Sequence, residues 1–446
     1  MSQKKISRRF FLIGTAATVA GCATGVSARR AARRLNSPNE KLNIAGIGVG
    51  GRGAYDIGKV SSENIVALCD VDERQAAATF KQYPKAKRYR DFRRMLEKQK
   101  DIDAVVVATP DHVHAPASMM AIRMGKHVYC EKPLTHSVDE ARMLAKAARR
   151  HKVATQMGNQ GHSIEGIRRC CEMISSGAIG PVREAHAWTH SPIWPQGIRR
   201  PTETPPVPDS LDWDLWLGPA PYRPYHPTYL PLKWRGWWDF GNGALGDMGC
   251  HILDPAYWAL RLGAPASMEA VSQEGCNEET GPKKEVVRWE FPRRGNMCPV
   301  TVYWYDGGNK YPRPKGVPED EELGDPGGEQ GAIFIGDKGA MTVGHHGENP
   351  RLLPKEKMRD YTMPPKTLPR VRDQNHWMNW IRACKGGPPA CSNFDYAGQL
   401  AEMVLLGAIA ARVPGKLKWN SKEMKFTNSD KANQYVRREY RKGWIL

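Results

Sequence analysis

LNIAGIGVGGRG, residues Leu42 to Gly53, joins an apolar run to a cluster of glycines. Leu42, Ile44, Ala45 and Ile47 read as a buried parallel strand. Gly48, Gly50 and Gly53 follow in the spacing G-x-G-x-x-G, and a helix can occupy residues 54–60. In such a strand–turn–helix the first glycine permits a sharp reversal. The second lets the backbone approach a pyrophosphate, and the third lets helix and strand pack closely. Phosphates then rest on the helix N-terminus, where free N–H groups and the dipole favour negative charge. Gly46 and Gly51 offer a second register, which would put the turn inside the apolar run.

Glycine spacing alone also fits an ordinary loop, so its surroundings decide. A second apolar strand, residues 64–69, ends at Asp70. That is about 20 residues on, where an acid meets the ribose 2′-hydroxyl of a dinucleotide. A carboxylate there repels a 2′-phosphate, so NAD is expected rather than NADP. Arg52 and Arg74 are nearby cations that soften the choice.

From residue 38 to 160 the pattern alternates. Strands are predicted at 42–47, 64–69, 103–108, 127–130 and 153–157, with helical patterns at 92–99, 116–124 and 138–151. Alternation of this kind predicts a doubly wound parallel sheet, an α/β Rossmann unit, with ligand chemistry at the carboxyl ends of its strands. Two of those ends stand out. One is Thr109-Pro110-Asp111-His112-Val113-His114. The other is Glu131-Lys132-Pro133, which fixes Lys132 at the edge facing the cofactor. A lysine in a cleft can hold or help deprotonate a substrate hydroxyl. By itself, Glu-Lys-Pro is a surface turn in most proteins.

Together these stretches resemble the Gfo/Idh/MocA oxidoreductases. The resemblance rests on Gly48 to Gly53 (with Gly50, Gly51 and Arg52), Asp70, Thr109-Pro110 with His112 and His114, Glu131-Lys132-Pro133, and Gly158-Asn159-Gln160. It continues through Gly246-Asp247-Met248-Gly249-Cys250-His251-Ile252-Leu253-Asp254. The closing Tyr440-Arg441-Lys442-Gly443-Trp444 is similar to the exported bacterial branch. The resemblance implies tightly held nicotinamide dinucleotides, with Gly48, Gly50, Gly51, Gly53, Arg52, Asp70, Thr109, Pro110, His112, His114, Glu131, Lys132, Asn159 and Gln160 around the cofactor. It implies sugars, inositols or related polyols as substrates. It further implies a C-terminal α+β domain, residues 161–446, with a large, mostly antiparallel open sheet that often pairs faces between subunits, so a homodimer or tetramer. His251 would be the general base, Asp247 would orient substrate or histidine, and Lys132 would polarise the oxygen.

The second half supplies its own signals. Residues 163–176 can be a helix, and 182–190 alternate as a strand whose one polar face holds Glu184, His186, Trp188 and His190. His186 and His190 either line the substrate cleft or sit on a solvated sheet face. Residues 191–243 carry Trp194, Trp213, Trp216, Trp234, Trp237 and Trp238. Tryptophans on such a loop can stack on sugar rings or pack the loop on its own domain. Asp247, His251, Asp254 and Trp258 share a face if one helix carries them all. Alternatively Asp254-Pro255 opens a new helix. Without the family match, a histidine on an amphipathic helix is more often structural. Strands are predicted at 299–305, 331–335 and 341–343, the last pair joined by a Gly336-Asp337-Lys338-Gly339 turn. The loop 306–329 offers a lid or a partner contact. Helices follow at 374–385 and 396–411, with Asn375-His376 either capping the first or approaching the cleft.

Residues 1–37 read as a targeting segment and tether. Lys4, Lys5, Arg8 and Arg9 precede a short apolar stretch, residues 10–20, and Ser7 to Leu12 resembles a bacterial twin-arginine export signal. Val19-Ala20-Gly21-Cys22 resembles a lipobox, in which Cys22 would carry a lipid anchor; the alternative is an incidental cysteine. Arg29, Arg30, Arg33 and Arg34 fit a solvated tether.

The chain has 446 residues and a formal charge of +19. Residues 1–21 hold four basic and no acidic side chains, so their removal leaves +15. The charge is spread along the chain with no nucleic-acid motif, which points to a solvated basic surface. None of the 10 cysteines forms a C-x-x-C pair. They read as small core residues, without a disulfide framework, and no metal-ligand set is apparent. The expected activity is hydride transfer between NAD and a secondary alcohol of a sugar, glycoside or polyol. Two alternatives stand beside it: an NAD-recycling glycoside hydrolase working by oxidation, elimination, hydration and reduction, and a non-catalytic sugar-binding protein.

Overall fold

The computed structural model describes residues 40–446. The export-signal, lipobox and tether readings, with Arg8, Arg9, Cys22 and Arg29 to Arg34, fall outside the described residues.

The first sheet contains β1 (Asn43–Ile47), β2 (Asn64–Cys69), β3 (Lys87–Tyr89), β4 (Ala104–Val107), β5 (His127–Cys130) and β6 (Thr155–Met157). Its order is β3-β2-β1-β4-β5-β6, and every pair is parallel. All residues of β4 and β5 are buried, because helices cover both faces of the sheet. That double cover makes their sequences continuous apolar runs. β3 has no such run: two of its three residues are exposed at the sheet edge. It was accordingly invisible in the sequence.

The strand order reverses between β1 and β4, so the turn after β1 and the loop after β4 lie side by side. Ligands bind at such switch points. The turn begins at Gly48, whose N–H donates to Cys69 O at 2.8 Å and whose φ is 75°. A Cβ on Gly53 would lie 1.8 Å from the Gly48 carbonyl oxygen, so that close packing requires glycine.

The helix predicted at 116–124 starts earlier, at Asp111, and runs to Arg123 with Pro116 inside it. Proline has no N–H to give the carbonyl four residues back. That carbonyl, His112 O, instead accepts from Arg438 Nη2 at 2.6 Å. A C-terminal arginine thus compensates an internal proline, which local pattern cannot reveal.

The second sheet contains β7 (Val182–Trp188), β8 (Ser267–Glu274), β9 (Lys284–Phe291), β10 (Val300–Tyr305), β11 (Gly331–Gly336), β12 (Gly339–Val343), β13 (Arg351–Leu353), β14 (Leu417–Asn420) and β15 (Lys425–Phe426). Its order is β13-β12-β11-β7-β10-β9-β8-β14-β15. Only β7 and β10 pair in parallel. Val287, Trp289, Val302 and Trp304 are fully buried on its inner face. The helix Phe394–Arg412 packs there, and also against the helices Val138–His151 and Gly243–Ile252. It therefore ties the two sheets together.

On the outer face His186 stacks on Tyr303 at 4.9 Å, so it does not line a cleft. His190 is half-exposed, 3.5 Å from Glu329. The 306–329 loop lies on the same face, where Tyr311 stacks on Trp188 at 3.8 Å and Val317 and Leu323 are buried. The nine described cysteines are all free. Among the described residues no helix is long and apolar enough to cross a membrane.

Candidate active site

A cavity of about 600 Å³ opens where the first sheet reverses. Gly48, Gly50, Gly51 and Arg52 form one wall. No side chain caps the N-terminus of the helix Arg52–Lys59, and the space a Gly51 Cβ would enter is empty. An uncapped helix end with open backbone suits a pyrophosphate. The residues present therefore fit a dinucleotide.

Asp70 lies on the same wall, but its carboxylate faces inward. Oδ2 accepts from Val49 N at 2.8 Å and Gly50 N at 3.1 Å, and Oδ1 accepts from Asp72 N at 3.0 Å. The acid predicted to meet a ribose thus also shapes the glycine loop. Burial raises its pKa against the pull of those three amides. Arg52 Nε donates to Glu131 Oε1 at 3.0 Å, and Gln160 Nε2 reaches the same oxygen at 3.2 Å. Thr109 and Pro110 complete this wall.

Three predicted cofactor residues stand elsewhere. His112 is fully buried, its Nε2 2.9 Å from Trp216 O and its ring beside Trp216 and Phe240. It braces the tryptophan-rich segment against the first sheet. Asn159 is buried with both ends used: Nδ2 donates to Asp254 at 2.9 Å and Oδ1 accepts from Ser392 at 2.6 Å. Gly53 lies behind the loop, where it lets helix and strand pack closely as the spacing predicts. His114 does reach the cavity wall, yet its two ring nitrogens lie 2.8 Å from Pro133 O and 2.8 Å from Thr109 O. It links the two loops that carry Lys132 and Thr109.

The opposite end of the cavity is lined by Lys132, His251, Asp111, Arg235, Trp234 and His346. Lys132 Nζ donates to both the backbone O and Oδ1 of Asp247, each at 2.7 Å. Arg235 Nε donates to the same Oδ1 at 2.8 Å. Asp247 therefore orients two cations through one oxygen. Burial opposes its charge, but Lys132 and Arg235 prevail and hold its carboxyl well below the usual range. Burial pushes the Asp111 carboxyl up to about 8, although Arg235 and Lys132 pull it down.

His251 sits on the helix Gly243–Ile252, 8% exposed, with no hydrogen-bond partner for Nδ1. Burial and the neighbouring His346 and Lys132 lower its pKa well below the histidine norm. The expectation of a value near neutrality gives way to an imidazole held neutral. The helix ends before Leu253, and a second one, Asp254–Ala259, turns away with proline in its first turn. Asp254 and Trp258 consequently point to His162, not to the cavity: His162 Nδ1 is 2.9 Å from Asp254 and its ring stacks on Trp258 at 4.2 Å.

The tryptophans divide in the same way. Trp213, Trp237 and Phe240 form a small core with Tyr229, and only Trp216 and Trp234 of the six reach the cavity. Asn375 caps the helix His376–Cys384, accepting from Met378 N at 3.0 Å. His376 turns inward, 2.7 Å from Met157 O.

The sequence reading missed Asp111, Arg235, His346 and Trp444 as wall residues. Asp111 stood inside a quoted motif. The others come from distant segments that only the fold brings in. One such segment, residues 210–217, crosses from the second half onto the end of β2. Glu73 N donates to Ser210 O and Asp212 N to Val71 O, both at 2.9 Å. Leu215 and Trp216 thereby join the nucleotide end of the cavity, as does Trp444.

Known proteins agree with this architecture. A 1,5-anhydro-D-fructose reductase from Ensifer adhaerens is 27% identical over 42% of this chain and 46% of its own length. An inositol 2-dehydrogenase from Salmonella typhimurium is 29% identical over 33% and 44%. A glycosyl hydrolase family 109 protein from Saccharopolyspora erythraea is 30% identical over 41% and 44%. The match thus spans a little under half the length of these relatives. A dehydrogenase from Bordetella pertussis, solved with NADH and UDP-GlcNAcA, shares the fold at a TM-score of 0.59 and 17% identity, over 85% of this chain and 99% of that one. Residues 42–159 match the family pattern described as an oxidoreductase family, NAD-binding Rossmann fold. Residues 182–286 match the pattern for the C-terminal alpha/beta domain. The glycine turn, the nine-stranded second sheet and these two matches together show that the chain belongs to the Gfo/Idh/MocA oxidoreductase family.

Proposed function

We propose that this protein oxidises or reduces a secondary alcohol of a sugar, glycoside or polyol with NAD. The observation that carries the reading is that Lys132 and His251, far apart in sequence, face one cavity beside the glycine turn. The glycine loop, Arg52, Glu131 and Gln160 would hold the dinucleotide, which when bound accepts or returns a hydride. His251, its imidazole held neutral, takes the hydroxyl proton. Lys132 donates a hydrogen bond to the same oxygen and steadies the negative charge that develops there. Asp247 aims Lys132, so the group is placed before substrate arrives, and such preorganisation supplies most of the acceleration. Trp216 and Trp234 shield the cavity from water.

The named relatives act on anhydrofructose and inositol, which supports the substrate class. The experiment is to load the full chain with NAD and follow reduced-nicotinamide absorbance with sugars, polyols and keto-sugars. Silence across all three classes would sink the reading. The likeness to a family 109 glycosyl hydrolase favours a second reading, net hydrolysis with the NAD recycled. Free sugar released without any change in bulk NAD would select it.

The twin-arginine pattern supports export of the folded protein, and the lipobox supports an anchor through Cys22. The broad second sheet supports a dimer or tetramer. Fractionation of cells, mass spectrometry of the N-terminus and light scattering test these three in turn.

A further inference from the structure

We propose that His345, His346 and Glu348 form a divalent-cation site behind the wall of the cavity, which His346 lines beside His251. The site suits a first-row ion such as Zn²⁺.

The turn after β12 creates it. Gly344 N donates to Glu348 O and Gly347 N to Gly344 O, both at 2.9 Å, which folds residues 344–348 back on themselves. Both histidines and the glutamate then face one point. One imidazole nitrogen from each histidine and one Glu348 oxygen lie within 4.8 Å of one another. Zinc bonds of about 2.1 Å place tetrahedral donors roughly 3.4 Å apart, so the three side chains must close by about 1 Å. None of the three is fully buried, so an ion can enter. Two imidazoles and a carboxylate match borderline cations better than calcium or magnesium.

The surroundings are those of a metal centre. Ligating histidines usually hydrogen-bond a carboxylate through their other nitrogen or ring edge, which fixes the ring. Here the Asp325 carboxylate holds His345 twice, at the ring Nδ1 and at the backbone N–H, the latter at 3.1 Å. Glu348 is fixed too, since Oε2 accepts from His346 N at 2.7 Å. The alternative is a self-contained ion-paired turn with no ion. It leaves unexplained why His346 lies on the cavity wall with its ring 4.8 Å from that of His251. Three protein donors leave positions open to water or substrate. The ion would hold a second hydroxyl of the sugar while Lys132 holds the reacting one. This last role rests on the dehydrogenase reading; the binding itself does not.

The test uses the full chain, stripped with chelator and titrated with Co²⁺ as the probe. Expected is one equivalent bound per chain, a visible ligand-field absorption band and a raised Tm. Glu348→Gln and His345→Gln should each weaken binding about tenfold or more. Failure of the wild type to take up cobalt, or equal binding by both variants, overturns the site. With hydride transfer followed in parallel, stripping should raise KM more than it lowers kcat. An unchanged KM overturns the substrate-holding role. Cobalt bound with no turnover of any sugar removes the dehydrogenase reading and leaves the metal site standing.

Discussion

In the proposed reaction Asp247 acts through the two cations that it holds. Its carboxylate spaces Lys132 and Arg235, each within 2.8 Å of one oxygen. Asp247→Asn keeps the shape but loses the charge that aims both. Activity should fall about 10²-fold, mostly in kcat, and adding Lys132→Met should cost little more, because coupled residues are not additive. His251→Ala should lower kcat/KM by about 10²–10⁴-fold while NAD binding, followed by fluorescence quenching, stays intact. Retained activity would remove His251 from the mechanism. Asp111 supplies one separable part of the pH dependence. Its carboxyl is raised from 3.8 to about 8, so between those values the native state holds one proton more than the unfolded chain. The contribution of Asp111 to stability therefore falls as pH rises through this window, by at most about 1.4 kcal/mol per unit. Asp111→Asn should flatten that slope in urea titrations at pH 5, 6.5 and 8. The sequence exposed residues whose motif and position both count, such as Lys132 and His251. It misplaced His112 and Asn159 because a polar side chain after a strand reads the same whether it faces a ligand or braces a loop. Arg235 and His346 had no motif to announce them.

Elements with one dominant cause were legible. β1, β2, β4 and β5 are apolar because helices cover both their faces, and the helix Val138–His151 is held at its start by Ser137 N donating to Glu140 Oε2 at 2.9 Å. β13, β14 and β15 are too short for a pattern, and β8 leaves half its length exposed. They exist because neighbours pair with them. The helix Phe394–Arg412 is buried nearly all round, so its sequence tells that it is internal but not what it joins. Gly407 marks the join: a Cβ there would lie 2.3 Å from the Trp289 ring and 2.6 Å from Leu245. Gly407→Ala should destabilise by about 1–3 kcal/mol through overpacking, and should loosen the helix that bears His251. Thermal unfolding with a parallel assay would show both or neither.

At the scale of the whole molecule, charge and connection set the behaviour. Eight basic and no acidic side chains precede residue 40, so the +19 of the chain falls to +11 for residues 40–446. The remaining charge is dispersed, in keeping with a solvated surface. Composition therefore reported size and net charge, whereas the coming together of two halves around one cavity was readable only through the family likeness. Segment 210–217 belongs to the later half in sequence yet is hydrogen-bonded to the end of β2, where Leu215 and Trp216 meet the nucleotide space. A ligand seated there touches both halves at once. Linkage is reciprocal, so whatever fastens the coenzyme also fastens the halves. Calorimetry should record a later endotherm at saturating NAD than for the bare protein, the nucleotide acting as a removable rivet worth about 2.7 kcal/mol at a hundredfold excess over Kd.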